Sequence, residues 1–138
     1  MSRTVIFPVA VNFGDCDPAG IVFYPNFLRW MDAASAHFFF SRGVPPWHEL
    51  EKTKGIVGTP LLEVHVKFYK PATYPERIEV HTRVEEWREK VFVQHHAIRR
   101  GDDLLCEGRE TRAFVKRDPD SGRLRAVPVP AEIRALCE

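Results

Sequence analysis

A helix that is apolar around most of its circumference is the feature that most constrains the fold of this chain. From Asn26 to about Arg42 apolar residues recur at helical spacing, and Asn26 and Gly43 are suited to begin and end the helix. The main stripe is Phe27, Trp30, Met31, Ala34 and Phe38, and the other faces carry Leu28, Ala33, Ala36, Phe39 and Phe40. Such a helix has to be buried on several sides, which predicts a sheet wrapped around it and a partner subunit beside it.

Strand-like runs lie on both sides of this helix in the sequence. Residues 5–13 alternate between apolar and polar side chains, and Pro8 within them indicates an edge strand or a bulge. A rigid turn at 44–47 opens a short helix that ends at Lys54. Strand-like runs follow at 62–68, 78–84, 90–100, 104–116 and 123–127, with turns at 99–103 and 118–122, and Pro130 begins a terminal helical turn. One strand, a long helix and then consecutive strands predict an α+β domain with an antiparallel sheet curled against the helix.

Composition excludes several functional classes. The 138 residues include 20 basic and 19 acidic side chains, a net charge of +1, which argues against a general nucleic-acid binder. We expect no membrane span, because no run of 18 residues is apolar and uncharged, and we see no secretory signal at the N-terminus. The three widely spaced cysteines favour reduced thiols in the cytoplasm, and the six histidines form no pattern typical of a metal site.

The loop from Gly14 to Gly20, which joins the first strand to the helix, carries two carboxylates. Asp17 is the leading catalytic candidate, since an acid beside a helix N-terminus can attack a carbonyl or activate a water. Backbone N–H groups at the same place can stabilise the oxyanion that results. The alternative is that Asp17 is a turn or capping residue, because aspartate is common at both positions. Asp15 has the same two interpretations, and we favour a structural role for it.

Two further residues near this junction carry reactive groups. Cys16 is poorly placed as a nucleophile, because the aspartates on either side of it disfavour a thiolate. On a helical wheel Asp32 falls near Leu28, Ser35 and Phe39. We therefore expect its carboxylate on the apolar side of the helix, where it needs a polar partner. That partner is either a ligand hydroxyl or Arg29, three residues earlier on the helix.

Three more residues are candidates for contact with a ligand. Trp47, which follows two prolines, is either the wall of a pocket or a packed core residue. Arg88 and Lys90 are suited to bind phosphates, and the alternative is that they belong to an ordinary solvated face.

Together these residues resemble the 4-hydroxybenzoyl-CoA thioesterase family of hot-dog-fold enzymes. The resemblance is concentrated in residues 12–60 and thins beyond them to 86–90, 92–94 and the strand order. The motifs that carry it are Phe-Gly-Asp-Cys-Asp-Pro-Ala-Gly-Ile-Val-Phe-Tyr-Pro-Asn at 13–26, Arg29-Trp30, Asp32-Ala33-Ala34-Ser35, Pro45-Pro46-Trp47 and Gly55-Ile56-Val57-Gly58-Thr59-Pro60.

The resemblance implies a fold and an assembly. It implies a single hot-dog thioesterase domain over residues 1–138, in which an antiparallel sheet wraps one long central helix. It also implies dimers with continuous sheets, often paired into tetramers, with active sites at the subunit interfaces. Neither a metal nor a redox cofactor is implied.

The resemblance also assigns roles to individual residues. Asp17 corresponds to the catalytic carboxylate, either as a nucleophile that forms an acyl-enzyme anhydride or as a base for water. The backbone N–H of Tyr24 polarises the thioester carbonyl, and Thr59 lies close to the thioester.

Further residues correspond to the binding positions of the family. Asp32 and Trp47 match positions that hold the aromatic acyl group and its para hydroxyl, and Arg88 and Lys90 match a cationic segment that meets the CoA phosphates.

The function that follows is hydrolysis of an aromatic acyl-CoA, with 4-hydroxybenzoyl-CoA as the favoured substrate, in cytoplasmic aromatic degradation. One alternative is a thioesterase for another aryl- or short-chain acyl-CoA. Another is a non-catalytic acyl-CoA-binding protein, although a binder has no need for a carboxylate against the thioester. Because Pro25 follows Tyr24, the mechanism of relatives that place a histidine directly after this tyrosine is excluded.

Overall fold

The computed structural model describes residues 3–138, which form eight strands, three α-helices and one 3₁₀ turn. The strands are β1 (Val5–Ala10), β2 (Ile56–Gly58), β3 (Leu61–Phe68), β4 (Arg77–Trp87), β5 (Val91–Arg100), β6 (Asp103–Ala113), β7 (Val115–Arg117) and β8 (Leu124–Ala126). The helices are α1 (Pro25–Ser41), α2 (Trp47–Lys54) and α3 (Ala131–Cys137), and the 3₁₀ turn covers Phe13–Asp15. None of the helices in this range combines the length and the apolar character needed to cross a bilayer.

The strands form two antiparallel sheets. The larger has five strands in the order β1-β4-β5-β6-β3, so β1 and β3 are its edges, and the smaller has the order β2-β7-β8. The edge position predicted from Pro8 is confirmed, because β1 pairs only with β4. The hairpin between β5 and β6 turns at Gly101, close to the predicted position.

Helix α1 packs along the large sheet and divides the core into two clusters. The whole predicted stripe is buried, and Phe39 is buried with it. Residues from the N-terminal half, such as Met31, pack on β1, β4, β5 and β6, whereas Phe38 and Phe39 join the cluster that reaches α2 and α3. The predicted antiparallel sheet around one long helix is therefore confirmed.

A glycine in β6 sets how closely α1 approaches the sheet. A Cβ atom built on Gly108 would lie 2.6 Å from Sδ of Met31, far inside van der Waals contact. Met31 is fully buried, so its thioether has no free space to move into. The absence of a side chain at Gly108 is thus what allows the middle of α1 to lie against the strand.

Three predicted boundaries are wrong. The first strand ends at Ala10 and not at Phe13, because Asp15 accepts a hydrogen bond from the Asn12 N–H and folds the chain into the 3₁₀ turn, which leaves Phe13 80% exposed. Tyr24, and not Asn26, is the N-cap of α1, since Pro25 occupies the first helical position, where its missing N–H costs nothing.

The third wrong boundary is the end of the run predicted at 104–116. This run divides at Phe114 into β6 and β7. Ala113 is the last partner of β5, opposite Val91, and from Val115 onwards the chain pairs with β2 and β8 instead. The strand therefore passes from one sheet to the other within a single apolar stretch, which alternation alone does not reveal.

Candidate active site

The loop between β1 and α1 is held in place by Asp15. Its buried carboxylate accepts hydrogen bonds from the Asn12 N–H at 2.8 Å and from Nη2 of Arg29 at 3.0 Å. Its backbone carbonyl accepts from the Phe23 N–H at 2.9 Å and from Nδ2 of Asn26 at 2.8 Å. Asp15 therefore links the loop to the first turn of α1, in agreement with the structural role favoured for it.

Asp17 lies half-buried at the beginning of a tight turn. Its N–H donates to the carbonyl of Ile21 at 2.8 Å, its carbonyl accepts from the Gly20 N–H at 2.9 Å, and Oδ1 accepts from the Ala19 N–H at 2.8 Å. Gly20 has a φ of +83°, which favours glycine. Within residues 3–138 no donor contacts Oδ2. The turn interpretation is therefore correct, and one carboxylate oxygen is still free for chemistry.

The start of α1 presents a backbone donor. Tyr24 is the N-cap, the following residue is Pro25, and no acceptor in the described part of the chain receives the Tyr24 N–H. The end of a helix that carries unpaired N–H groups favours negative charge.

Asp17 lines a cavity of about 380 Å³ together with Phe13, Cys16, Thr73 and Tyr74, and Tyr24 is not part of its wall.

A second cavity, of about 480 Å³, brings together three of the predicted site residues. Asp32, Trp47 and Thr59 all line it, next to Ser35 and Arg112. Trp47 also packs against Phe39, with ring centroids 5.8 Å apart, so it is both a pocket wall and a packed aromatic residue. Within one chain, this cavity and the one that contains Asp17 have no lining residue in common.

The predicted surroundings of Asp32 are wrong. Its side chain is 73% exposed and does not lie on the buried side of α1, because the sheet covers the side of Met31 and Phe38. The alternative partner is wrong as well, since Arg29 binds Asp15. Asp32 instead accepts a hydrogen bond through Oδ1 from Nη2 of Arg112, at 2.8 Å.

Arg112 belongs to a buried polar network that the sequence analysis missed. Its guanidinium contacts both carboxylate oxygens of Glu110, at 3.2 and 2.9 Å, and donates through Nη1 to the Thr59 carbonyl at 2.9 Å. Glu110 in turn contacts Nε2 of His96 at 2.6 Å, and Nδ1 of His96 lies 2.7 Å from the Thr82 hydroxyl. The sequence does contain one indication of this network. Glu110 and Arg112 carry opposite charges two residues apart in a predicted strand, and side chains at i and i+2 of a strand lie on the same face.

Charge pairing outweighs burial in this network. Burial by itself raises the pKa of the Glu110 carboxyl, but hydrogen bonding and charge from His96, followed by Arg112, outweigh it, so the pKa lies below its ordinary value. Burial lowers the pKa of the Arg112 guanidinium, and Glu110 and Asp32 more than offset that effect. Arg112 and Glu110 are therefore both charged inside the protein.

Arg88 and Lys90 lie in the exposed turn between β4 and β5, and neither lines the two cavities described above. Nη2 of Arg88 donates to Glu86 at 2.9 Å. Both interpretations of these two cations, phosphate contact and solvated face, are compatible with this position.

The buried cysteines do not supply a nucleophile. Burial raises the pKa of the Cys106 thiol to about 12 and that of the Cys137 thiol to about 11, so both are protonated at neutral pH. Among residues 3–138, no three His, Cys, Asp or Glu side chains converge on a position that could hold a metal ion.

Comparison with known proteins assigns this arrangement to a family. The family model of the thioesterase-like superfamily matches residues 11–136. The chain belongs to the thioesterase-like superfamily. A relative from Pseudomonas sp. (strain CBS-3), 4-hydroxybenzoyl-CoA thioesterase, is 42% identical, and the match covers 99% of both chains. The predictions of the family and of a thioesterase are thereby confirmed.

Solved structures of this superfamily confirm the hot-dog thioesterase fold. The D17N mutant of a 4-hydroxybenzoyl-CoA thioesterase, complexed with 4-hydroxybenzoyl-CoA, has a TM-score of 0.92 and 41% identity, with 99% of both chains covered. Gentisyl-coenzyme A thioesterase BH1999 has a TM-score of 0.84 and 30% identity, covering 97% of this chain and 100% of its own.

Proposed function

We propose that this chain hydrolyses 4-hydroxybenzoyl-CoA to 4-hydroxybenzoate and CoA. The observation that carries the proposal is Asp17, whose Oδ2 is free in a loop fixed against the N-terminus of α1. The near full-length identity of 42% to 4-hydroxybenzoyl-CoA thioesterase from Pseudomonas supports the choice of substrate. Asp17 has no structural need for that second oxygen, so a reaction accounts for it best.

The chemistry requires few groups. A thioester carbonyl is a good electrophile, and its leaving group is a thiolate, so a carboxylate suffices either to attack it or to activate a water. Asp17 performs this step, and the free Tyr24 N–H stabilises the negative charge that develops on the carbonyl oxygen. Thr59 lies at the thioester. An aspartate-to-asparagine exchange in a thioesterase complexed with its CoA ester is what one expects where an aspartate is catalytic.

The acyl group occupies the cavity formed by Asp32, Trp47 and Thr59. The indole of Trp47 provides an apolar wall for an aromatic ring, and Asp32 provides an acceptor for a hydroxyl on that ring. Because Arg112 occupies Oδ1 of Asp32, Oδ2 is the oxygen that receives the hydroxyl.

The active site is completed by a second copy of the chain. Asp17 and Asp32 line different cavities of one chain, so a substrate that meets both residues needs the two cavities from adjoining subunits. The edge strand β3 supports such pairing, since it is exposed along most of its length and Leu62 is 60% exposed. We propose dimers with a continuous sheet through this edge, paired into tetramers.

Two further assignments belong to the same proposal. Arg88 and Lys90 contact the phosphates of CoA, for which their exposed cationic turn is suited. The enzyme acts in aromatic degradation in the cytoplasm, which agrees with its three unpaired cysteines.

The decisive test is thiol release from a panel of CoA esters by the purified protein. We expect rapid release from 4-hydroxybenzoyl-CoA, slower release from benzoyl-CoA and the slowest from butyryl-CoA. Faster turnover of benzoyl- or butyryl-CoA would show that the acyl group is wrongly assigned. Stoichiometric binding of all three esters without thiol release would identify a binding protein and reject the proposed function.

A further inference from the structure

Arg112 lines the cavity of Asp32, Trp47 and Thr59 and has none of the roles assigned above. It lies on β6, its side chain is 7% exposed, and it reaches the cavity wall from the buried side. Through separate nitrogens it contacts Asp32 on α1 and the carbonyl of Thr59, at 2.8 and 2.9 Å. One guanidinium thus joins two walls of the acyl cavity that come from distant parts of the sequence.

Arg112 is itself held rigidly. Glu110 binds it with both oxygens, and Glu110 is fixed by His96, which contacts Thr82. Each of these three supporting residues is at most 2% exposed. The planar fork of an arginine can make such bidentate contacts and still donate elsewhere, which a lysine ammonium cannot do with the same geometry.

Asp32 has no comparable support of its own. Its side chain is 73% exposed, and Arg112 is its one ion-pair partner within residues 3–138. An exposed carboxylate without a partner rotates among several rotamers, and a ligand that needs one of them has to select it at an entropic cost. The bond to Arg112 removes that cost by fixing Oδ1, and within residues 3–138 no donor contacts Oδ2.

We propose that Arg112 is a specificity-determining positioning residue, which holds Asp32 and the Thr59 segment at the spacing that recognises a hydroxylated aromatic acyl group. This inference rests on the proposed function, because it concerns the acyl cavity of that reaction. Arg112 acts through Asp32 and does not itself touch the reacting atoms. It follows that preference for a ring hydroxyl depends on Arg112 as strongly as on Asp32.

The test compares kcat/KM for 4-hydroxybenzoyl-CoA and benzoyl-CoA in four proteins: wild type, Arg112→Lys, Asp32→Ala and the double variant. We expect wild type to prefer the hydroxylated ester by roughly tenfold to a few hundredfold, the range for one hydrogen bond to a charged group. Each single variant should lose most of that preference through the hydroxylated ester, with benzoyl-CoA changed less than about threefold. The double variant should lose no more than Asp32→Ala alone, since both substitutions remove one interaction.

A matched control lies on the same strand. Arg109 is exposed and contacts Glu85, so Arg109→Lys should leave the preference for the hydroxylated ester unchanged. If Arg112→Lys keeps the wild-type preference, or if it slows both esters by the same factor, the proposal is overturned.

Loss of Arg112 leaves the buried Glu110 with His96 as its one remaining partner within residues 3–138, so a second variant guards against unfolding. Arg112→Met combined with Glu110→Gln removes both charges and keeps the side-chain volumes, and thermal unfolding shows whether it folds. A crystal structure of either folded variant gives a readout independent of turnover, since we expect Asp32 to leave the cavity wall. An unmoved Asp32 would overturn the proposal. If wild type hydrolyses neither ester, the proposed function fails, and the position of Asp32 in the variant still decides whether Arg112 holds it.

Discussion

Nη2 of Arg29 donates a hydrogen bond to Oδ1 of Asp15 at 3.0 Å, and this contact joins the first turn of α1 to the loop in front of it. The aspartate side chain is 12% exposed, so it requires a partner, whereas that of Arg29 is 62% exposed. Asp17 follows two residues after Asp15, so the contacts of Asp15 fix the position of Asp17 relative to the helix N-terminus. We propose different roles for the two carboxylates of this short loop, and the difference can be tested.

Asp17→Asn should strongly reduce turnover without weakening the fold. The substitution preserves the volume of the side chain and removes the nucleophile or base, so we expect kcat for 4-hydroxybenzoyl-CoA to fall by about a hundredfold or more with KM nearly unchanged. The measurement is steady-state thiol release, together with direct binding of the ester to the inactive protein. Near wild-type kcat would remove Asp17 from the mechanism.

Asp15→Asn is the matched control, because it makes the same chemical change two residues earlier. It removes the ion pair with Arg29 and weakens the bond to the Asn12 N–H, so the melting temperature should fall measurably. Asp17→Asn should melt within about a degree of wild type, since the asparagine oxygen still accepts from the Ala19 N–H and Asp17 has no ion pair within residues 3–138. Equal melting temperatures for the two variants would contradict the structural role of Asp15.

Arg88→Ala and Lys90→Ala should raise KM with little change in kcat. Phosphate contacts far from the carbonyl stabilise the bound substrate and the transition state alike, and the effect should shrink at high ionic strength. Arg77→Ala is the control, because Arg77 is exposed at the opposite end of β4. Unchanged KM for both variants would assign Arg88 and Lys90 to a solvated face.

Self-association through β3 should be disrupted by a charge on that edge. Leu62→Lys introduces a charge at an exposed edge position, which natural sheets use to prevent edge pairing. We expect light scattering to show a dimer or tetramer for wild type and a smaller, inactive species for the variant. Leu136→Lys on α3, also an exposed leucine, should keep the wild-type size. A fully active monomer of 15.9 kDa in wild type would reject the shared active site.

The sequence was sufficient where local patterns decide the outcome. The buried stripe of α1, the end of α2 and the turn at Asp17 follow from helical spacing and from glycine and proline placement, all of which act over a few residues. The partner of Asp32 did not follow, because Arg112 lies 80 residues away along the chain and meets it only through the packing of α1 on the sheet. A helical wheel gives the angle between side chains but not the side that the sheet covers.

Gly108→Ala should destabilise the protein through overpacking. The new methyl group would lie 2.6 Å from Sδ of Met31, which is completely buried, so the Met31 side chain, α1 or the strand has to shift. We expect a loss of about 1–3 kcal/mol in the free energy of unfolding, measured by urea denaturation. Adding Met31→Ala should recover part of that loss in the Gly108→Ala background, although Met31→Ala alone destabilises. A neutral Gly108→Ala would show that the helix does not depend on this glycine.

Glu110→Gln should reduce the change in the free energy of unfolding that the protein shows between neutral and acid pH. Burial raises the pKa of the Glu110 carboxyl, but His96 and then Arg112 lower it by more, so its pKa in the folded protein lies below that in the unfolded chain. A lowered folded pKa means that the carboxylate contributes stability above the unfolded value of about 4.3, and that this contribution is lost as pH falls through the folded pKa. At pH 7 the variant should lose about 3–5 kcal/mol, because Arg112 then loses its buried counter-ion and keeps only the exposed carboxylate of Asp32. Urea denaturation at pH 7 and at pH 4 should show the difference from wild type shrinking at the lower pH, and an equal or larger difference there would contradict an ionised, paired Glu110.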